Sequence, residues 1–187
     1  MGEETLSRRE WLLSLVPRAA DVVEKSVEAG SSRALPRRLR PPGALSEALF
    51  LATCERGHQC AEACPWNAIF FLEESPGKGT PVMIPDERAC HFCEGFPCAA
   101  ACPSGALLPP ADGKWRFGTV RVLSEHCLVF QGPECGACAG LCPETAVGAL
   151  RLVAGKPVIE DEACVGCGLC IEACPTEPKA IALVPAR

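Results

Sequence analysis

Tyrosine is absent from this 187-residue chain, methionine occurs twice, and Phe and Trp bring the aromatic residues to only 5%. A chain so short of large side chains has little from which to build an extensive core. It also lacks an uninterrupted stretch of the roughly 18 apolar residues that a membrane-spanning helix needs. No phosphate loop, dinucleotide fingerprint or nucleophile paired with a base can be read from it, which argues against a catalytic site of its own. Positive charge is in deficit as well. The formal net charge is −5, which argues against a nucleic-acid partner. What the chain does have is 15 cysteines, 17 glycines and 18 prolines. So many Gly and Pro leave room only for short elements beyond the first third. Something bonded to the cysteines is therefore expected to supply much of the stability.

Disulfides would suit a small secreted domain, but the cysteine count is odd. Zinc would use Cys-x-x-Cys pairs, two per ion or combined with histidines. Iron–sulfur clusters call for tight runs of four cysteines, often closed by proline. The last group, Cys164-x2-Cys167-x2-Cys170-x3-Cys174-Pro175, matches the bacterial ferredoxin run at every spacing. The second reads Cys90-x2-Cys93-x4-Cys98-x3-Cys102-Pro103, and the third Cys127-x7-Cys135-x2-Cys138-x3-Cys142-Pro143. The first, Cys54-x5-Cys60-x3-Cys64-Pro65, has only three cysteines. These groups account for all 15 and point to iron–sulfur clusters, with every one of these cysteines a candidate ligand.

The spacing has a physical cause. A cluster presents its irons at separate corners, so successive thiolates must come from one tight loop whose N–H groups face the sulfurs. Glycines beside the ligands (Gly136, Gly166, Gly168) permit that wrapping. Proline after the last cysteine offers no N–H and stops continuation as helix. The fourth cysteine of such a run typically serves the other cluster of a pair.

The surroundings repeat too, which indicates a duplicated unit. Short β-like stretches precede three runs, at Thr80–Ile84, Thr119–Leu123 and Lys156–Ile159. After the prolines come segments read as about two helical turns followed by an apolar stretch, as at Trp66–Leu72, Thr145–Val153 and Lys179–Val184. The expected fold is α+β: tandem bacterial-ferredoxin-like (2[4Fe–4S]) units behind a helical N-terminal extension. Residues 1–45 form the extension with its Arg/Pro linker, and residues 46–187 form the four-run region.

From Leu39 onward the sequence resembles the MauM/NapG/NapF group of ferredoxin-type proteins. Four features carry the match: Leu39-Arg-Pro-Pro-Gly-Ala44, the inserted Cys90–Cys98 stretch ending in Cys102-Pro-Ser-Gly-Ala-Leu107, the long Cys127–Cys135 gap, and the regular fourth run. The resemblance implies a redox-chain component that accompanies periplasmic nitrate reductase or methylamine dehydrogenase systems. In some members it implies a part in cofactor assembly of a molybdenum enzyme.

The first run departs from the pattern, because Gly57 stands where a second ligand would be. Ferredoxins with a three-iron cluster commonly lack a cysteine at this position. Three [4Fe–4S] clusters are thus expected, with a fourth site holding [3Fe–4S] or a labile [4Fe–4S], or having lost its cluster. His58 is an additional candidate ligand of the weak corner. For pairing, a nested arrangement (first run with fourth, second with third) is expected, since the two inner runs share unusual spacing.

The other histidines, His91 and His126, also adjoin cysteines. They lack the Rieske and Cys-x-x-Cys-His haem patterns and are read as hydrogen-bonding or tuning residues. Residues 1–45 carry eight Lys/Arg and six Asp/Glu, leaving ten against seventeen for the remainder. An acidic cluster-bearing body suits salt-sensitive docking on a basic redox partner. Ser7-Arg8-Arg9 resembles a twin-arginine export motif, yet Pro17, Arg18, Asp21, Glu24 and Lys25 break the apolar stretch that should follow. A cytoplasmic protein is expected, with periplasmic export as the alternative. Leu12, Leu15, Val16, Ala19, Val22, Val23 and Val27 fall near helical spacing and suggest a docking face. Arg33, Arg37, Arg38 and Arg40, with Pro36, Pro41 and Pro42, read as an extended linker. The expected function is one-electron relay to or from a partner such as a molybdenum reductase or a membrane quinol-linked complex. The alternative is a maturation factor that uses its clusters as a redox switch.

Overall fold

The structure is a computed structural model and describes residues 38–186. The expected N-terminal helix and the Ser7-Arg8-Arg9 motif lie outside the described residues. Within them every element is short, as the Gly and Pro content requires. The helices are α1 (Glu47–Thr53), α2 (Gln59–Glu62), α3 (Pro97–Ala100), α4 (Leu128–Gln131) and α5 (Leu169–Glu172), with a 3-10 turn at Glu144–Ala146. The strands are β1 (Ile69–Phe71), β2 (Pro81–Met83), β3 (Gly118–Val122), β4 (Leu150–Val153), β5 (Lys156–Ile159) and β6 (Ile181–Pro185).

These elements repeat as one plan used twice. In the first half β1 pairs antiparallel with β2, bringing Phe70 opposite Val82. In the second half β4 pairs with β5, with Arg151 opposite Val158. Each hairpin leaves one cysteine run and leads into the next. The ends of each half also meet. In the second half β3 pairs with β6, with Val120 opposite Leu183. In the first half an Ala44–Leu107 bridge takes that place, flanked by Leu45 N–H donating to Ala106 O (3.1 Å) and Leu108 N–H to Gly43 O (2.8 Å). Gly43 has φ +80°, and a Cβ there would fall 2.0 Å from Leu108 O, so this approach requires glycine.

The helical turns differ in place from expectation. α2, α3 and α5 contain the next-to-last cysteine of their runs and end just before the last, whereas the residues after proline form turns, bends, a 3-10 turn and strand. A gap of three residues between cysteines spans about one α-helical turn, so the last cysteine follows just past the end of the helix. The proline then stops its continuation.

A second correction concerns the Arg/Pro linker. Its described part is packed into the first half: Arg40 is 7% exposed and Pro41 and Pro42 are fully buried. The Arg40 guanidinium is held by Glu47 (2.9 and 2.6 Å), Thr80 Oγ1 (2.8 Å) and Pro81 O (2.7 Å), and lies 4.6 Å from the Phe50 ring centroid. With every side of its charge matched, a buried arginine is tolerable.

The core lies between cysteine groups rather than in one block. Phe50, Ile69, Met83, Phe92, Phe96, Leu107 and Phe117 form the first cluster, which also takes in Cys167 of the second half. Val120, Leu150, Ile171 and Ile181 form another. The halves are joined by Phe92 against Phe117 (edge-on, 5.4 Å) and by Ala89 N–H donating to Glu172 Oε2 (2.8 Å). Phe117 N–H also donates to Val165 O at 2.9 Å.

Candidate iron–sulfur centres

The 15 cysteines are all unpaired with one another as disulfides, and they converge on four cavities. The first is lined by Cys54, Cys60 and Cys102, with Gly57, His58 and Gln59 on its open side. The second is lined by Cys90, Cys93, Cys98 and Cys64. The third takes Cys164, Cys167, Cys170 and Cys142, and the fourth Cys127, Cys135, Cys138 and Cys174. Each cavity thus draws its last cysteine from a neighbouring run. The pairing is first run with second and third with fourth, which corrects the nested expectation. The reason is the hairpins. A strand pair of three or four residues returns the chain beside the run it has just left, so runs adjacent in sequence become adjacent in space. Likeness of spacing within a run reports a local insertion, such as the α4 turn, and carries no pairing information.

Loop conformation follows the glycines only in part. Gly166 and Gly168 take φ +69° and +90°, as the wrapping of the fourth run requires. The equivalent turns of the first two runs use non-glycine residues, His58 (φ 67°) and Phe96 (φ 46°), just before α2 and α3. Backbone strain of this kind is held by surrounding structure.

Burial dominates the electrostatics. It pushes the Cys60, Cys98 and Cys167 thiols up to about 11, and Cys90 and Cys170 up to about 12, with neighbouring thiols adding to the rise. Such thiols would stay protonated at neutral pH unless a cation bound them, so they fit a buried metal group that compensates thiolate charge. Two fourth cysteines behave differently. Burial raises Cys102 and Cys174 too, but donors outweigh it and hold both below the ordinary value: Ser104 Oγ with backbone N–H groups at Cys102, and Thr176 with Ala180 N–H and the Lys179 charge at Cys174. The contacts are Cys102 Sγ to Ser104 Oγ 3.5 Å and to Leu107 N 3.5 Å, and Cys174 Sγ to Thr176 Oγ1 3.3 Å and to Ala180 N 3.4 Å. Cys64 Sγ receives Ala68 N–H at 3.4 Å. The sequence held a sign of this in the shared Cys-Pro-Ser/Thr at residues 102–104 and 174–176.

The first cavity is as large as the others despite its missing cysteine. Each of the four measures about 20 Å³. Among the described residues no three His, Cys, Asp or Glu groups converge closely enough for a single metal ion. The thiols stand apart around a space, which suits a multi-iron group better than the compact four-thiolate shell of zinc. His58 lines the first cavity, but its ring stacks on Phe71 at 4.0 Å. His91 stacks face to face on Trp66 at 3.6 Å beside the second cavity, and burial lowers its pKa despite the opposing Glu172 charge. No sequence pattern pointed to that stack, nor to Arg40 or Glu172.

Two thiol-lined cavities in each half define a tandem dicluster iron–sulfur protein. Known proteins agree. Two models described as a 4Fe-4S dicluster domain match residues 53–106 and 121–175, one for each half. The chain is 35% identical to the ferredoxin-type protein NapG of Escherichia coli over 95% of its length and 85% of that protein. It is 34% identical to the methylamine utilization ferredoxin-type protein MauM of Methylorubrum extorquens, covering 96% and 89%. To NapF of Escherichia coli it is 29% identical, covering 83% and 91%. No solved structure matches the chain. It belongs to the NapG/MauM family of ferredoxin-type iron–sulfur proteins.

Proposed function

We infer that this protein relays single electrons between a donor and a partner oxidoreductase. The observation that carries the reading is that four thiol-lined cavities are linked in series through shared helices and one hydrogen bond. Cys60 on α2 faces the first and Cys64, one turn on, the second; Cys98 on α3 faces the second and Cys102 the first. Cys170 and Cys174 span the third and fourth in the same way around α5. The step between halves is a hydrogen bond from Cys90 N–H to Cys167 O.

In this reading Cys64, Cys90, Cys93 and Cys98 hold one [4Fe–4S] cluster, Cys142, Cys164, Cys167 and Cys170 a second, and Cys127, Cys135, Cys138 and Cys174 a third. Cys54, Cys60 and Cys102 hold a [3Fe–4S] or a labile [4Fe–4S] cluster. The clusters supply the one-electron chemistry when bound. The chain's own part is to exclude water with Phe50, Phe92, Phe96 and Ile171, to aim N–H and O–H donors at sulfur, and to fix the separations. Iron and acid-labile sulfide analysis under anaerobic conditions tests the inventory. About fifteen or sixteen irons per chain are expected. A colourless chain without labile sulfide overturns it.

A redox protein is the proposed partner, a molybdenum reductase or a membrane quinol-linked complex. Exposed Trp66, beside the second cavity, is a ready contact for it. No helix among the described residues is long and apolar enough to cross a membrane. From the charges and Pro17 that interrupt the apolar stretch after Ser7-Arg8-Arg9 we propose a cytoplasmic location, which cell fractionation tests. The three-thiol cavity favours a second reading, a maturation factor whose weak site senses redox state. Rapid reoxidation of the reduced protein by the partner supports relay. Binding to the cofactor-free partner without electron flow supports maturation.

A further inference from the structure

The first cavity has a side chain where its family pattern has a cysteine. A Cβ built on Gly57 would fall 2.2 Å from Gln59 Oε1 and 2.9 Å from both Gln59 Cδ and Nε2. The carboxamide of Gln59 therefore stands where the Cβ of a cysteine at 57 would lie, at the exposed rim of the first cavity. Gln59 lines the cavity together with Cys54, Cys60 and Cys102. Its neighbours are turned to other tasks. The Arg56 guanidinium donates to Lys78 O (3.0 Å) and Cys54 O (3.3 Å), and the His58 ring lies on Phe71. Gln59 opens α2, one residue before Cys60, so its backbone is fixed by the same turn that presents a ligand.

We propose that Gln59 is the fourth protein ligand of the first site, its Oε1 binding the corner iron that the absent cysteine leaves without a thiolate. This rests on the reading that the first cavity holds an iron–sulfur cluster. A carboxamide oxygen carries lone pairs and no charge, so it holds iron more loosely than thiolate does. The consequence is a four-iron cluster that gives up one iron reversibly. When an oxidant such as ferricyanide takes one electron and the corner iron leaves as Fe2+, [4Fe–4S]2+ becomes [3Fe–4S]+, and Gln59 is released. Gln59 sets how readily that happens.

The experiment uses the complete anaerobic holoprotein, titrated with ferricyanide while the EPR signal of an oxidised three-iron cluster and released iron are followed. Gln59→Glu keeps an oxygen donor and is expected to retain the corner iron. Gln59→Leu keeps the bulk without the donor and is expected to lose it about 10–100-fold faster. Gly57→Cys is expected to suppress the signal altogether. The signals of the other three clusters report whether each variant is folded. If Gln59→Leu keeps its iron as the wild type does, or the wild type holds only three irons at this site with Fe2+ supplied in excess, Gln59 is a space-filler and the proposal falls. Cys60→Ala, which leaves no donor atom at the position, separates the underlying reading. If this change removes no iron, the first cavity carries no cluster and the proposed inventory fails first.

Discussion

The backbone N–H of Cys90 donates to the carbonyl oxygen of Cys167 across 3.0 Å, so a cysteine of one half is hydrogen-bonded to a cysteine of the other. The contact depends on a tight backbone approach close by. Gly168 sits at φ +90°, and a Cβ there would fall 2.5 Å from Cβ of Pro85, part of a ring that cannot swing aside.

Gly168→Ala is therefore expected to push the halves apart. Left-handed strain and the clash with Pro85 together should cost about 1–3 kcal/mol. The thermal midpoint should fall, and electron exchange between the second and third cavities should slow. Pulse reduction followed by freeze-quench EPR measures the exchange. An unchanged midpoint and rate would mean the junction is elsewhere.

The pairing of runs gives a prediction with opposite outcomes for the last cysteines of the first two runs. Cys102 belongs with Cys54 and Cys60, while Cys64 belongs with Cys90, Cys93 and Cys98. Cys102→Ala should abolish any three-iron signal of the first site. Cys64→Ser should leave that signal and alter a four-iron cluster. The reverse pattern would show that each run keeps its own fourth cysteine.

Arg40 offers a test of stability away from sulfur. Its guanidinium ties Glu47 on α1 to Thr80 and Pro81 at the start of β2. Removing one partner of a buried ion pair costs about 3–5 kcal/mol, so Arg40→Ala should unfold the first half and lose iron from its two sites. Arg40→Lys keeps charge but not the planar fork and should fall between. Iron content against temperature measures both.

Much of this could be read before any fold was known. Four runs closed by proline, and β-like stretches ahead of three of them, specify local loops. β2, β3 and β5 do fall within Thr80–Ile84, within a residue of Thr119–Leu123, and on Lys156–Ile159. What could not be read is long-range. Nothing in the spacing of Cys127 and Cys135 says which run lies alongside. Arg40 looked like linker because its neighbours Pro41 and Pro42 break helix and strand, while its partner Thr80 is 40 residues away. Gly57 was legible as a missing ligand, but the folding of Gln59 into that place is a matter of side-chain direction.

The hydroxyls of Ser104 and Thr176 lead to the last expectation. Each stands two residues past a fourth cysteine and within 3.5 Å of its sulfur, at the first and fourth cavities, the two ends of the connected series. A donor to a ligand sulfur stabilises the more negative, reduced state. Its loss should therefore lower the potential of that end and no other. One such bond is worth roughly 1 kcal/mol, less whatever it gives the oxidised state, so Ser104→Ala and Thr176→Val should each shift one couple down by roughly a few tens of millivolts. Cys64, with only the Ala68 N–H found on its sulfur, marks a second cavity with no such hydroxyl to lose. EPR-monitored redox titration resolves the couples. If both variants titrate as the wild type, or if an inner couple moves instead, these hydroxyls do not set the potentials of the ends.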